Sequence, residues 1–362
     1  MHILHVISGL RQSAGTSTFL CEVCNRLHGK GHCVTVAVRS PSASRTTALS
    51  PDVRVVGLYD LVKTNGLWKK IDIVHIHALW NPMQSMVAMM SRCRRVPVVW
   101  STHGMTAPWA MAHKRFKKWI PWYLYQRRAL SSAALIHATT VQEADWNRGL
   151  GFDNRQIVVP LGTDLPSERV VRIRRAADPL LVLFVGRIYP VKGLMNVVRA
   201  ASELRDVPIR FRIVGPDEAN HQSELITEAL HTGVASMFEW PGAKYGDELS
   251  AEYDACDLVM LPSFTENFGA TVVDALAHCK PALTSCFTPW QVLQERKCGW
   301  WVPNDPRSLA EAFRMIASLA PDEMNMMGLR GRRLVEEHYT WGAVCNAMIN
   351  GYDMLLTQGQ PC

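Results

Sequence analysis

Short apolar runs separated by longer mixed segments recur along the whole chain, and the series is interrupted once. In the first half the runs His2–Ile7, Cys33–Val38, Val53–Leu58 and Ile73–Ile76, the stretch VPVVWSTHG (96–104) and the run Leu135–Thr139 read as strands. The segments between them carry helical spacing, as in the stretch running through Cys24 to His28. RQIVVPLGTDL (155–165) closes this half, and the polar, irregular SERVVRIRRAADP that follows reads as a linker between Gly162 and Pro179. The alternation then restarts with Leu180–Gly186, Ile209–Gly215, Met237–Gly242 and Asp257–Leu261. Near the end CGWWVPNDP (298–306) adds a strand and turn, and Tyr339–Leu356 an amphipathic helix. The expected class is α/β, with domains at 1–165 and 178–338 and a terminal helical segment at 339–362.

Composition narrows the class without deciding the chemistry. A chain of 362 residues, 48% hydrophobic and 20% charged, is long enough for two well-filled cores. The opening MHILHVISG lacks a basic leader ahead of an apolar core, and no apolar run is long enough to span a bilayer, so a cytosolic protein is expected. Ten cysteines show no pairing pattern. Cys21 and Cys24 form a C-x-x-C inside a helical segment with no second pair to complete a zinc site, which favours reduced thiols packed in a core.

Candidate chemistry concentrates in PSFTENFGATVVDALAHCKP, between Pro262 and Pro281. A buried strand ends at Leu261, and an Ala- and Val-rich helix is expected from about Phe268. Glu266 then sits at the strand-to-helix handover with Asp274 two turns further on, roughly 12 Å away at a helical rise. That is too far for two acids sharing a proton or a metal ion. It fits two carboxylates holding hydroxyls at opposite ends of one ligand. Between them Asn267, Phe268, Gly269 and Ala270 offer amides at a helix N-terminus, where an anion is favoured. Hydroxyls at both ends and negative charge in the middle describe a nucleotide sugar. The plainer alternative is a helix N-terminal Glu and a surface Asp.

Glu266-Asn267-Phe268-Gly269 followed by Asp274-Ala275-Leu276 resembles the acid, seven residues, acid signature of retaining glycosyltransferases of family 4, which have the GT-B fold. The resemblance implies two Rossmann-like domains facing a central cleft, with the terminal helix crossing back to the N-terminal domain. It assigns Glu266 to the donor sugar and Asp274 to the ribose. After the strand at Leu180–Gly186, the run RIYPVKGL places Arg187 and Lys192 beside a helix start at Gly193. Two cations there form a diphosphate clamp, and they match the family's phosphate-binding pair. His77 and His103 each close an apolar strand at its C-terminal end, where open α/β sheets bind ligands. His103 matches a family histidine that reaches the donor sugar, and His77 a frequent acceptor-side position; a partly buried strand-capping histidine is the alternative for each. The turn GLRQSAG (9–15) resembles the family's glycine-rich loop near the donor phosphates, with Gly15 allowing close backbone approach and Ser13, Thr16 or Ser17 able to cap. Phe238 and Trp240 are base neighbours or core.

The chain departs from the family at two points. Asp274 stands where Glu is usual, and Cys279 where a glycine commonly precedes the next strand. No D-x-D occurs, so no metal is expected at the diphosphate, and no cofactor beyond a donor such as a UDP-sugar or GDP-mannose.

From Ile73 to Gln142 there is no acidic residue, while nine Arg and Lys are interleaved with Trp109, Phe116, Trp119, Trp122, Tyr123 and Tyr125. That combination fits an anionic membrane surface carrying a lipid-linked acceptor; an ordinary solvated helix face is the alternative, and no nucleic-acid motif accompanies the charge. The implied activity is sugar transfer to a glycan or lipid-linked acceptor in surface-polysaccharide assembly. Its rivals are a sugar-nucleotide epimerase or phosphorylase of similar plan and a catalytically silent binding subunit.

Overall fold

The structure is a computed structural model that describes residues 1–10, 15–41, 48–63, 65–167 and 178–358. Parts of two expected features, the turn at 9–15 and the linker at 162–179, lie outside the described residues. The chain divides into two compact units, one of Met1–Gly162 with Trp341–Cys362 and the other of Thr163–Thr340.

Among the described residues, the first unit holds seven strands: β1 (His2–Val6), β2 (Cys33–Val38), β3 (Arg54–Gly57), β4 (Ile73–His77), β5 (Val98–Ser101), β6 (Leu135–Ala138) and β7 (Gln156–Val158). They form one parallel sheet in the order β3-β2-β1-β4-β5-β6-β7. Its central strands are buried along their length, as expected of parallel strands covered on both faces. The register sets His5 beside His75, His77 beside Ser101 and Ser101 beside His137, so a row of polar side chains crosses an otherwise apolar sheet.

The helix Trp341–Gln358 completes this unit. Its Val344, Cys345, Met348 and Tyr352 pack with Phe19, Leu20 and Leu27 of the helix Gly15–Gly29 and with Ile3 and Val36 of the sheet. Each fully buried apolar side chain of that size contributes about 1.5–3 kcal/mol. Cys21 and Cys24 lie in the same core as free thiols, and burial pushes both up, Cys21 to about 11.

The second unit holds β8 (Leu180–Val185), β9 (Ile209–Val214), β10 (Phe238–Gly242), β11 (Leu258–Leu261), β12 (Ala282–Ser285) and β13 (Gly299–Val302). These are parallel in the order β10-β9-β8-β11-β12-β13. Strand order reverses between β8 and β11, as it does between β1 and β4 in the first unit. In doubly wound sheets that reversal opens a crevice at the strands' C-terminal ends.

Candidate functional site

The loops leaving β8 and β11 meet at the reversal point of the second sheet. The Phe264 amide donates to the Val191 carbonyl at 2.8 Å. The Lys192 ammonium pairs with the Glu266 carboxylate, which also accepts from Ser263 Oγ at 2.9 Å. Gly193 is what lets the loops approach: its φ is +73°, and a Cβ there would lie 2.0 Å from the Pro262 carbonyl oxygen. Asn304, from the late turn, donates its side-chain amide to that same carbonyl and braces the junction.

Both helices that leave this junction begin without a side-chain cap. The helix Leu194–Ala201 starts at Gly193 and the helix Ala270–Ala277 at Gly269, both in left-handed backbone. Some helices use a side chain at this position, Asn81 capping Pro82–Cys93, Thr140 capping Val141–Gly149 and Asp305 capping Pro306–Ala317, whereas others, such as Gly246–Ala255 and Pro321–His338, are uncapped as well. Amides at an uncapped helix start can serve an anionic ligand. The helix begins at Ala270, two residues later than the sequence pattern predicts, because Gly269 at φ +82° packs against Leu261 and Trp290. Glu266 therefore lies wholly in the loop, and a helical rise does not measure its separation from Asp274.

The remaining predicted residues fall into place unequally. Phe268 is buried, its ring centroid 5.4 Å from that of Trp290, and its carbonyl accepts from the Trp290 indole. Asn267 is half-buried and Ala270 exposed. Asp274 is partly buried and accepts from Thr163 Oγ1 at 2.7 Å; burial raises its carboxyl above the ordinary range, opposed by that hydrogen bond and by His278. Arg187 is not drawn to Lys192. Ile188 runs beside Asp217 as a continuation of the sheet, with its amide 2.9 Å from the Pro216 carbonyl, so Arg187 lands on Glu218 at 2.9 Å. Phe238 stacks on Phe211 in the core at 5.0 Å, and Trp240 packs on Phe238.

In the first unit His77 ends β4 and His103 follows β5, and the two are joined by a 3.1 Å contact from His77 Nδ1 to His103 Nε2. His103 has φ +49°, an unfavourable conformation for a residue with a Cβ. Buried Glu143 holds the loop there, accepting from Thr102 Oγ1 at 2.6 Å, from the Gly104 amide and from both the amide and hydroxyl of Thr139 at 2.7 Å. Burial alone would raise the Glu143 carboxyl; these hydrogen bonds bring it below the ordinary range. Gly15 is the first residue of its helix, with open space where a Cβ would stand.

Sequence reasoning missed His5, His75 and His137, which share the buried layer with His77. The signal was present, since each is a histidine set inside a run that is otherwise largely apolar. His5, His75 and His77 have ring nitrogens within 4.8 Å of one another, and those of His75 and His77 are engaged in hydrogen bonds. Glu218 and Thr163 were missed as well.

The family model Glycosyl transferases group 1 matches residues 168–333, and the family model Glycosyltransferase Family 4 matches residues 13–166. The chain belongs to glycosyltransferase family 4. A D-inositol 3-phosphate glycosyltransferase of Nocardia farcinica is 31% identical over 233 residues, covering 59% of this chain and 51% of that one. WcaL of Escherichia coli K12, named for colanic acid biosynthesis, is 28% identical over 201 residues, 52% of this chain and 49% of that one. The chain thus spans about half the length of these curated relatives. Anabaena HepE, solved with UDP, shares the fold at a TM-score of 0.78 and 16% identity, over 98% of this chain and 100% of that one. The architecture is GT-B, with two Rossmann-like sheets.

This family 4 chain carries its basic aromatic segment as several short elements rather than one helix. Pro108–Ala112, Arg115–Pro121, a π-helical turn Trp122–Gln126 and Arg127–Ser131 succeed one another, with Pro121 inside the series. Phe116 is 92% exposed, and Trp109, Trp119, Ile120, Tyr123 and Leu124 are exposed too. Trp122 is core, and Tyr125 donates to the Trp80 carbonyl at 3.0 Å. Among the described residues no helix is long and apolar enough to cross a membrane.

Proposed function

We propose that the protein is a retaining glycosyltransferase that moves a sugar from a nucleoside diphosphate sugar to a glycan or lipid-linked acceptor in surface-polysaccharide assembly. The observation that carries this reading is the interlocked junction of β8 and β11. A cation, a carboxylate and two uncapped helix starts converge there, a set matched to a sugar diphosphate. HepE, a protein of like fold, was solved with UDP, and WcaL is named for colanic acid; both agree with this donor and setting.

In the proposed reaction the acceptor oxygen bonds to the anomeric carbon on the face from which the diphosphate departs. The bond from that carbon to the phosphate oxygen breaks, and the acceptor proton passes to a departing phosphate oxygen. Lys192, Arg187 and the amides around Gly269 and Ala270 neutralise the leaving charge, while Glu266 orients the sugar and Asp274 the ribose. His103 orients the sugar. Exposed Phe116, Trp119 and Tyr123, with Lys114, Arg115 and Lys117 beside them, fit an anionic membrane surface presenting a lipid-linked acceptor. The working place is then the inner face of the cell membrane.

Thermal-shift titration with UDP and GDP, followed by hydrolysis of the matched sugar donors, tests the reading. A rise in melting temperature with one nucleotide and slow release of its sugar are expected. No stabilisation by either, with no turnover of any sugar donor, would overturn it.

A further inference from the structure

Five histidines, His5, His75, His77, His103 and His137, form one contiguous layer in the first unit, stacked from His5 and His75 through His77 to His103 with His137 edge-on, and with ring centroids 4.2 Å apart at the closest pair. Phe19 packs over His77, His103 and His137. Burial lowers all five, His5 to about 3 and His103 to about 4, so each ring is neutral near pH 7 and carries one N–H. One N–H per ring makes the direction of each hydrogen bond a solvable problem.

The first chain is fixed by a carbonyl. His137 Nε2 lies 2.8 Å from the Val159 carbonyl oxygen, which only accepts, so that nitrogen bears the proton. His137 Nδ1 must then accept from Ser101 Oγ at 2.6 Å, and Ser101 Oγ from His75 Nε2 at 2.6 Å. His75 Nδ1 accepts from the Tyr352 hydroxyl at 2.6 Å. The second chain joins His5 Nδ1 to His77 Nε2 at 2.9 Å and His77 Nδ1 to His103 Nε2 at 3.1 Å. Its far end, His5 Nε2, is buried and has no partner among the described residues. If the chain ran from His103 to His5, that end would be an orphaned N–H. Run from His5 to His103, it is only an unused lone pair, the lesser cost.

We propose that His5 and His77 are positioning residues for His103. Their directed hydrogen bonds, His5 to His77 to His103, fix His103 as the Nδ1–H tautomer, so that it meets substrate as a hydrogen-bond donor. His103 Nδ1 has no partner among the described residues, and the ring is only partly buried, so this N–H is available to a ligand oxygen. It then holds a sugar oxygen and takes no proton from the acceptor. The inference deepens the function proposed above and rests on it for the nature of that ligand.

Protein with nitrogen-labelled histidine rings, studied by long-range proton–nitrogen correlation, reports each tautomer without any activity assay. The expected pattern is Nδ1–H for His5, His77 and His103, and Nε2–H for His75 and His137. His103 found as Nε2–H overturns the proposal, and it does so whether or not sugar transfer is detected. His77→Phe keeps the ring volume and removes both hydrogen bonds. It should release His103 from its single tautomer and lower turnover about tenfold. In a His103→Ala background the same change should cost nothing further; a full additional loss there means that His77 acts elsewhere, and refutes the proposal. If His77→Phe fails to fold, the wild-type pattern decides alone.

Discussion

Thr163 Oγ1 donates to the Asp274 carboxylate at 2.7 Å, tying the residue at which the chain enters the second unit to the helix that carries the second acid. Burial raises this carboxyl, so the folded state binds its proton more tightly than the unfolded chain does. Stability contributed by Asp274 is therefore present in acid and is lost as pH rises from the ordinary carboxyl range through the raised value. Asp274→Asn keeps an acceptor for Thr163 and removes the desolvated charge. Unfolding at neutral pH should be unchanged or harder, while donor KM rises if the carboxylate serves the ribose. A clear loss of stability in chemical denaturation contradicts this account.

Arg187 and Glu218 form an ion pair whose side chains are 60% and 41% exposed. Pairs of that kind contribute about 0–1 kcal/mol, so a diphosphate can replace the carboxylate at little cost. Arg187→Ala should lower transfer about a hundredfold, the scale on which one charge-stabilising group acts. Glu218→Gln should leave stability unchanged and donor KM equal or lower. Near-normal turnover by Arg187→Ala removes that residue from the phosphate site.

Gly193 admits no side chain. A Cβ 2.0 Å from the Pro262 oxygen, at φ +73°, forces the two loops apart. Gly193→Ala should destabilise the second unit by about 2–4 kcal/mol, combining overpacking with left-handed backbone strain. Donor binding should fall with it. A melting curve matching wild type would mean that the junction is slack.

The histidine layer predicts a pH profile. His5 and His103 titrate near 3 and 4 in the folded protein but near 6.5 when unfolded, so the unfolded chain takes up more protons throughout that interval. The stabilisation is whole above about pH 6.5 and is lost progressively as pH falls towards 4. Denaturation midpoints taken at pH 7.5, 6 and 5 should drop at each step. A flat profile would show that the rings are already charged or solvated.

Much of the second unit's site was legible because its residues flank apolar strands at short range: Lys192 and Glu266 each follow a strand end by a few positions. What pairs with them was not. Glu218 meets Arg187 only because β8 and β9 are neighbours and Ile188 prolongs their pairing. The histidines were visible one strand at a time, but a single-strand reading cannot know that β1, β4, β5 and β6 lie side by side in a register that makes them one layer. Cys279 shows the reverse case. Sequence marked it as a residue where glycine is usual, and the structure keeps the left-handed turn with Cys279 at φ +56°, its carbonyl 1.8 Å from where a Cβ on Gly328 would stand. The turn's shape is set by what packs on it, and the side chain tolerates the strain.

Tyr352 reaches His75 from a helix that starts at Trp341, whereas the sheet it seals is finished by Val158. During synthesis the first-made strands emerge long before the tyrosine that closes their polar row. Until then His75 lacks an acceptor's partner, and Phe19 and Leu27 lack their cover. The strands of this sheet are therefore made well before the helix that makes them watertight, and a nascent chain stalled before Trp341 would present an unsealed sheet to whatever chaperone is nearby.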